Sequence, residues 1–322
     1  MSPSLTVAIC TYNPRRDYFY RAIVALRQQT LPLANWNLLV IDNASNPAVA
    51  DWLDLSWHPR ARIVVETQQG LTPARLRAFR ETQTEILTFV DDDNVLAANY
   101  LEQGLGILTR SPRLGAIGGK CLPEFEQPPA PWFQDLGIPL GLRDFGEAEK
   151  THAWASPEPK AEPMAGTTAD RRYPAWAPIG AGLMLRTAAM AAYNESLAHD
   201  PRRLALDRTG NSLSSGGDND LIMTLLEQGW SVGYFPQLSL LHLIAAGRLS
   251  PAYLRRMNRD SCRSWVQVLD LHGLRPWPKI SAWSLPLRQA KSYLHLRPWR
   301  STAAAIRWQG ACGLLEGQAQ LP

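Results

Sequence analysis

Phe89-Val90-Asp91-Asp92-Asp93-Asn94 is the stretch on which the reading of this 322-residue chain turns. The apolar run over residues 86–90 reads as a buried strand, and three consecutive carboxylates follow it directly. That order puts dense negative charge at the carboxyl end of a strand, where open α/β sheets bind their ligands. Neighbouring carboxylates repel one another, and a fold tolerates them most easily when a cation or a set of donors neutralises them. The run therefore reads as a metal site. Hard oxygen ligands suit Mg2+ or Mn2+, ions that usually bridge one or two carboxylates to a substrate diphosphate. A solvated acidic turn capping the next helix would have the same sequence, because Asp and Asn are favoured caps.

Toward the N-terminus, residues 5–10 form a continuous apolar, β-branched run of the kind found in parallel strands, broken by Thr11-Tyr12-Asn13-Pro14. A helix is expected from Asp17 onward, with Phe19, Ile23 and Leu26 on one face. Residues 38–41 predict a second strand ending in a polar turn at Asp42 and Asn43, and residues 62–65 a third. Gly70 introduces a helix in which Thr72 is the cap and Pro73 fits the first turn, with Arg75 and Arg77 near its start. Strands alternating with helices imply βαβ units and a mostly parallel sheet, an α/β fold. Each of these loops follows a strand, so Thr11, Asp42 and the acidic run gather on one edge. Asp42 itself reads either as a ligand contact or as a turn-forming Asx residue.

Toward the C-terminus, a helix is expected over 99–109 and an extended stretch over 114–122, interrupted at Gly118-Gly119. Residues 123–178 are rich in Pro, Ala and Gly with little periodicity, as in a functional loop, a lid or a disordered segment. Within them Trp132, Phe133, Trp154 and Trp176 either stack on a sugar or anchor the loop. Gly180, Ala181 and Gly182 permit close backbone approach to a ligand, or tight packing between elements. A second acidic element, Gly217-Asp218-Asn219-Asp220, opens a helix with Leu221 and Leu225 at i, i+4 and a stop at Gly229. Asp218 is expected at the N-cap, either as a cap worth about 1 kcal/mol or as a general base, which would need an exposed lone pair. Two short strands, 231–235 and 237–241, end at His242, a structural histidine or a metal ligand. Ser250-Pro251 starts a helix with Leu254, Met257, Trp265 and Val268 on one face and Arg255, Arg256, Arg259 and Arg263 on the other. That basic face is either solvated or in contact with lipid, and Trp277, Trp283, Trp299 and Trp308, interleaved with cations, also suit a membrane interface.

A composition of 45% hydrophobic and 19% charged residues is that of a globular chain long enough to bury a sizeable core. Cys10, Cys121, Cys262 and Cys312 lack paired spacing, which argues against a zinc site or a disulfide framework and for reduced thiols in a cytoplasmic protein. No segment approaches a bilayer-spanning length, so membrane association is expected to be peripheral. The net charge of +4 hides an asymmetry: from Gly247 on, 12 Lys/Arg face 3 Asp/Glu, a net of +9 on a body of −5. A basic tail suggests an anionic partner. Nucleic acid is disfavoured, because the acidic edge would repel phosphate.

Taken together, Val7-Ala-Ile-Cys-Thr11-Tyr12-Asn13, Leu39-Val-Ile-Asp42-Asn43, Gly70 with Ala74-Arg75, Phe89-Val-Asp91-Asp92-Asp93, Gly180-Ala-Gly182 and Gly217-Asp218-Asn-Asp220-Leu221 with Gly229-Trp230 resemble the family 2 glycosyltransferases of the GT-A fold in order and spacing, over about residues 5–248. The resemblance implies a Rossmann-like, mostly parallel sheet with flanking helices. It implies a catalytic domain over 1–249, with a nucleotide-sugar-binding half (1–122) and an acceptor half (123–249), followed by a basic helical extension over 250–322. Asp91 and Asp93 would hold Mn2+ or Mg2+, with His242 near the metal. Thr11, Tyr12, Asn13, Asp42, Arg75, Asp92, Gly180 and Gly182 would surround the donor. The second acidic motif usually reads Glu-Asp, its Asp being the base; here Gly217 stands in place of Glu, Asp218 aligns with Asp, and Asp220 is the alternative. The expected activity is metal-dependent inverting transfer from a nucleotide-diphosphate sugar, most simply a UDP-sugar, to a hydroxyl of a glycan, glycolipid or lipid-linked acceptor, with an anionic membrane surface as a further partner. Two other readings stay open: a catalytically silent nucleotide-sugar-binding subunit, for which Gly217 speaks, and a metal-dependent nucleotidyltransferase.

Overall fold

The apolar runs of the N-terminal half become β1 (Leu5–Thr11), β2 (Trp36–Asp42), β3 (Ala61–Val65) and β4 (Ile86–Phe89), all mutually parallel in the order β3-β2-β1-β4. Helices α1 (Arg16–Arg27) and α2 (Leu71–Glu81) make two of the crossovers. These elements come from a computed structural model, which describes residues 4–137, 140–154, 171–208, 210 and 212–322. Next come β5 (Asn94–Leu96), α3 (Tyr100–Arg110), β6 (Leu114–Phe125), β7 (Lys150–His152), β8 (Met184–Arg186), α4 (Ala191–His199), α5 (Pro201–Leu204), α6 (Gly217–Glu227) and β9 (Ser231–Ile244). The sheet continues from β4 through β8, β6 and β9 to β5, with β7 also on β9. Among the described residues only β5, β7 and β8 run antiparallel to their neighbours, so the mostly parallel α/β sheet is as expected.

Alternation along the strands sorts the core into two layers. Leu5, Val7 and Ile9 of β1 and Leu38 and Val40 of β2 pack with Phe19, Ile23 and Leu26 of α1. Ala8, Leu39 and Ile41 face the other way, with Ala74 and Ala78 of α2 and Leu221, Ile222 and Leu225 of α6. The C-terminal residues form α7 (Pro251–Leu271), α8 (Leu285–Leu296) and α9 (Thr302–Gln320). Ser250 caps α7 by accepting the Tyr253 N–H at 3.3 Å, with Pro251 at the first position. The division expected at 249/250 falls at the entry to α7, whose Val268 and Leu269 belong to the same apolar layer as α6. Gly313 of α9 lets that helix lie against α7, since a Cβ there would overlap the Arg259 carbonyl.

Several local expectations are corrected. The two strands expected over 231–241 are one, the continuous β9. Pro236 is accommodated because the β6–β9 register shifts between Gly118 and Lys120, opposite residues 235–238, where no ladder N–H is needed. His242 therefore lies inside β9 and not at a strand end. Thr72 is not a cap: Gly70 holds the N-cap of α2 with φ 135°, and the Thr72 hydroxyl donates to Asp207 at 3.0 Å. The irregular region over 123–178 contains a 3-10 helix (Pro131–Leu136) and β7. Trp154 is buried and donates to the Arg172 carbonyl at 3.1 Å, an anchoring role, while residues 155–170 lie outside the described ones. The basic face of α7 is partly spent within the protein: Arg259 pairs with Glu316 of α9, and Arg263 with Asp260 at 2.6 Å and Glu316 at 3.6 Å.

Candidate functional site

The acidic run is a tight turn between β4 and β5. The Asn94 N–H donates to the Asp91 carbonyl at 3.0 Å, and the Asn94 side-chain amide donates to Asp93 at 3.0 Å. β5 pairs with β9 so that Asn94 lies opposite His242. His242 Nε2 is 3.2 Å from Asp93 Oδ2, and Arg248 Nη1 donates to the same oxygen at 3.0 Å. From the other side, the Thr11 hydroxyl at the end of β1 donates to Asp92. Sites 81 and 149 residues apart in the chain thus converge on one edge; loop placement predicts this for Thr11 and the acidic run, and His242 joins them from within β9.

Electrostatics separates the three acids. Burial, reinforced by the charge of Asp93, raises Asp91 and takes Asp92 up to about 7, against the Thr11 hydrogen bond. Burial also opposes ionisation of Asp93, but the His242 contact and the Arg248 charge more than offset it, so Asp93 is held below the usual range. The edge thus has negative charge that its own cations only partly satisfy; His242 meets it through Nε2, which also lies 3.0 Å from Arg248 Nη1, while its buried Nδ1 has no hydrogen-bond partner. The two carboxylates are donors that fit Mn2+ or Mg2+, with the imidazole, a ligand favoured by softer ions, as an accessory donor. Among the described residues no three His, Cys, Asp or Glu side chains form a ready cage. Ions of this class are bound by one or two carboxylates and completed by substrate phosphates, so a partial protein shell is compatible with them.

The second acidic motif meets the first through Arg75. Its guanidinium, over the Phe89 ring at 5.5 Å, donates to Asp218 Oδ1 at 2.5 Å and lies 3.6 Å from Asp207. Burial opposes its charge, but Asp218, Asp207 and Asp91 more than compensate and keep it protonated. Asp218 Oδ2 accepts the Gly180 N–H at 2.8 Å. The Asp218 side chain is 24% exposed. The N-cap of α6 is Gly216, so Asp218 lies inside the first turn and not at the cap. Asp220 is elsewhere: 0% exposed, it pairs with Arg203 and with His272 Nε2 at 2.9 Å. Residues two apart on a helix point in nearly opposite directions, so the motif cannot aim both acids at one cleft.

The remaining expected residues serve the loops. Asp42 is 1% exposed and accepts the Ser45 N–H at 2.9 Å and the Val49 N–H at 2.8 Å, the turn-forming arrangement. Asn13, at φ 47°, accepts the Asn46 N–H at 2.8 Å and joins the β1 and β2 loops. Tyr12 is 53% exposed beside them. A Cβ on Gly180 would overlap Arg75, and one on Gly182 would meet the Tyr100 hydroxyl, which donates to the Gly182 carbonyl at 2.6 Å. Close packing on these side chains accounts for both glycines.

Asp207 was not anticipated. It is buried, accepts the Thr72 hydroxyl and the Gly217 N–H at 3.0 Å each, and faces Arg75. Burial raises it, with Arg75 acting against that. A Cβ on Gly217 would overlap this carboxylate. An acid from outside the motif thus fills the space beside the glycine. No periodicity around residue 207 could have announced it.

Residues 6–146 match the sequence profile described as glycosyl transferase family 2. Over 129 residues the chain is 26% identical to glycosyltransferase AglE of Haloferax volcanii, covering 39% of this chain and 41% of that protein, so it spans less than half the length of this relative. Among solved structures, mannosyltransferase PcManGT from Pyrobaculum calidifontis, in complex with GDP-Man and Mn2+, superposes with a TM-score of 0.52 at 19% identity, over 97% of this chain and 74% of that one. TarS 1–349 of S. aureus, in complex with UDP, gives 0.51 at 12% identity, over 99% and 90%. Identities this low carry the fold alone.

Proposed function

We propose that the chain, whose residues 6–146 match the glycosyl transferase family 2 profile, transfers a sugar from a nucleotide-diphosphate donor to an acceptor hydroxyl by a single inverting displacement. The observation that carries this reading is the meeting of two acidic motifs at Arg75: Asp218 is bonded to it and Asp91 is close enough to act on its charge. Asp218 is the general base. Its two hydrogen bonds use one lone pair of each oxygen, and a carboxylate oxygen has a second. It takes the proton of the acceptor hydroxyl as that oxygen bonds to the anomeric carbon. The bond from that carbon to the diphosphate breaks, its electron pair leaves with the nucleoside diphosphate, and the configuration inverts.

Asp91 and Asp93, with His242, would hold Mn2+ or Mg2+, which when bound supplies neutralisation of charge on the diphosphate. Arg75 and the Gly180 N–H fix the base, Asp207 fixes Arg75, and Thr11 fixes Asp92. Tyr12 offers an exposed ring for the nucleotide base. A UDP-sugar is the simplest donor; a GDP-sugar belongs beside it, because PcManGT was solved with GDP-Man. The acceptor is a hydroxyl of a glycan or glycolipid. Incubating the purified chain with UDP- and GDP-sugars and Mn2+ should release a nucleoside diphosphate. Pyrophosphate release from a nucleoside triphosphate would replace this reading with a nucleotidyltransferase, and donor-dependent thermal stabilisation without any turnover would leave a silent binding subunit.

A further inference from the structure

None of the residues of α8 is buried, although the helix is well formed and packs along α9. Its half-buried side is Leu285, Gln289, Ser292 and Leu296. Trp308 of α9 donates to the Ser292 hydroxyl at 3.2 Å, and Gln289 donates to Glu316 at 3.3 Å. The opposite side, starting in the 3-10 turn Ala282–Ser284, carries Trp283, Leu287, Ala290 and Leu294 at i, i+4, i+7 and i+11. Trp283 is 79% exposed, Leu287 70% and Leu294 68%, and Trp299 just beyond the helix is 57% exposed. Half of the exposed large hydrophobic side chains of the described residues lie in this one segment. Single exposed apolar residues need no explanation, but a contiguous stripe marks an interaction surface.

The charge around the stripe selects its partner. Between Asp270 and Glu316 the chain has seven Lys/Arg and no Asp or Glu. Arg288, Lys291 and His295 flank the stripe, with Arg297 and Arg300 at its end, and all five are exposed. A second copy of the same face, related by a two-fold axis, would oppose Arg288, Lys291, Arg297 and Arg300 with their like and offer no acid to offset them. Tryptophan and leucine bordered by lysine and arginine are the residues of a helix lying in a bilayer interface, with cations on anionic headgroups. No helix among the described residues is long and apolar enough to cross a membrane.

We propose that α8, with Trp283 and Trp299 at its ends, is the surface by which this protein lies on an anionic lipid bilayer. Of the four α7 cations that the sequence offers for this role, Arg259 and Arg263 are engaged with Glu316 and Asp260, while Arg255 and Arg256 are exposed and add to the basic surface. The surface is separate from the acidic cleft, and its test needs no turnover, so it stands or falls apart from the transferase reading.

The experiment is co-sedimentation of the full chain with vesicles of about 30 mol% phosphatidylserine in phosphatidylcholine, against phosphatidylcholine alone, at low and raised salt. Binding is expected on the anionic vesicles, weaker on the neutral ones and weakened by salt. Trp283→Ala/Leu287→Gln/Leu294→Gln should cut partitioning by at least about tenfold. Arg288→Gln/Lys291→Gln should cut it by about tenfold or more on anionic vesicles only. These side chains are exposed, so melting temperatures should hold; should the triple variant melt early, the charge pair carries the same test. No binding by the parent chain, or equal binding by parent and variants, overturns the proposal. So does light scattering that finds a dimer which the triple variant converts to a monomer, because the occupant would then be a second copy.

Discussion

Replacing Asp218 and Asp220 separately by Asn should divide chemistry from stability. Asp218→Asn keeps the shape, but an amide has only one oxygen, and both partners of Asp218, Arg75 at 2.5 Å and the Gly180 N–H at 2.8 Å, are donors. One of these hydrogen bonds to a charged group is lost, about 1.5–3 kcal/mol before allowance for the partial exposure of the site. At roughly 2 °C per kcal/mol for a chain of this length, the melting temperature should drop by about 2–5 °C. Loss of a general base should reduce kcat by roughly 10²–10⁴, about 3–5 kcal/mol of barrier. Asp220→Asn leaves Arg203 and His272 facing a neutral amide in a site with no solvent. Breaking such a buried pair costs about 3–5 kcal/mol, or roughly 6–10 °C, while kcat per folded molecule should stay within about tenfold of the parent. The assay is nucleoside diphosphate release, normalised to the folded fraction from a thermal melt. If Asp218→Asn turns over within about threefold of the parent, or if Asp220→Asn melts normally but is inactive, the assignment of the base is wrong.

Asp91→Ala should abolish the Mn2+-dependent thermal stabilisation by a nucleoside diphosphate, a shift of about 3 kcal/mol at one hundred times Kd in the parent; an unchanged shift would refute the metal assignment. Gly217→Glu should destabilise the chain by about 2 kcal/mol or more, because the Asp207 carboxylate fills the space. Asp207→Ala should recover more than about 1 kcal/mol of that loss in a double-mutant cycle, and strict additivity of the two changes would refute the contact. Burial works against the His272 imidazolium, but its contacts with Asp220 and Glu227 raise it above its ordinary 6.5. Its contribution is therefore complete below about pH 6.5 and lost as the pH rises through the higher folded value. His272→Gln should thus lower the melting temperature more at about pH 6 than at about pH 9, and a difference that grows with pH would reverse the sign of this account.

The parts of this molecule written in local patterns were legible. Continuous apolar runs placed β1 to β4, and strand-then-acid order put Thr11 and Asp92 on one edge. Gly229, at φ 79°, ends α6 where the periodicity stopped. What depended on pairing between distant elements was not legible. Asp207 gains its meaning from Thr72, 135 residues away, and Arg259 loses its freedom to Glu316, 57 residues away. The turn chemistry of Asp42 was readable only as one of two options, because the same side chain can accept from its own loop or from a ligand. Helix geometry alone separates Asp218 from Asp220.

His272, at the end of α7, reaches back 52 residues to close the charge cluster beneath α6. Because a ribosome delivers the chain from its N-terminus, Asp220 and Arg203 emerge well before the imidazole that completes their cluster. The helix bearing Asp218 therefore reaches its final setting only after His272 has emerged. A released chain ending at Leu249 should present a loosened α6 to proteases, whereas the chain that includes α7 and His272 should resist them. The end of α7 thus acts as a keystone, holding an element made earlier.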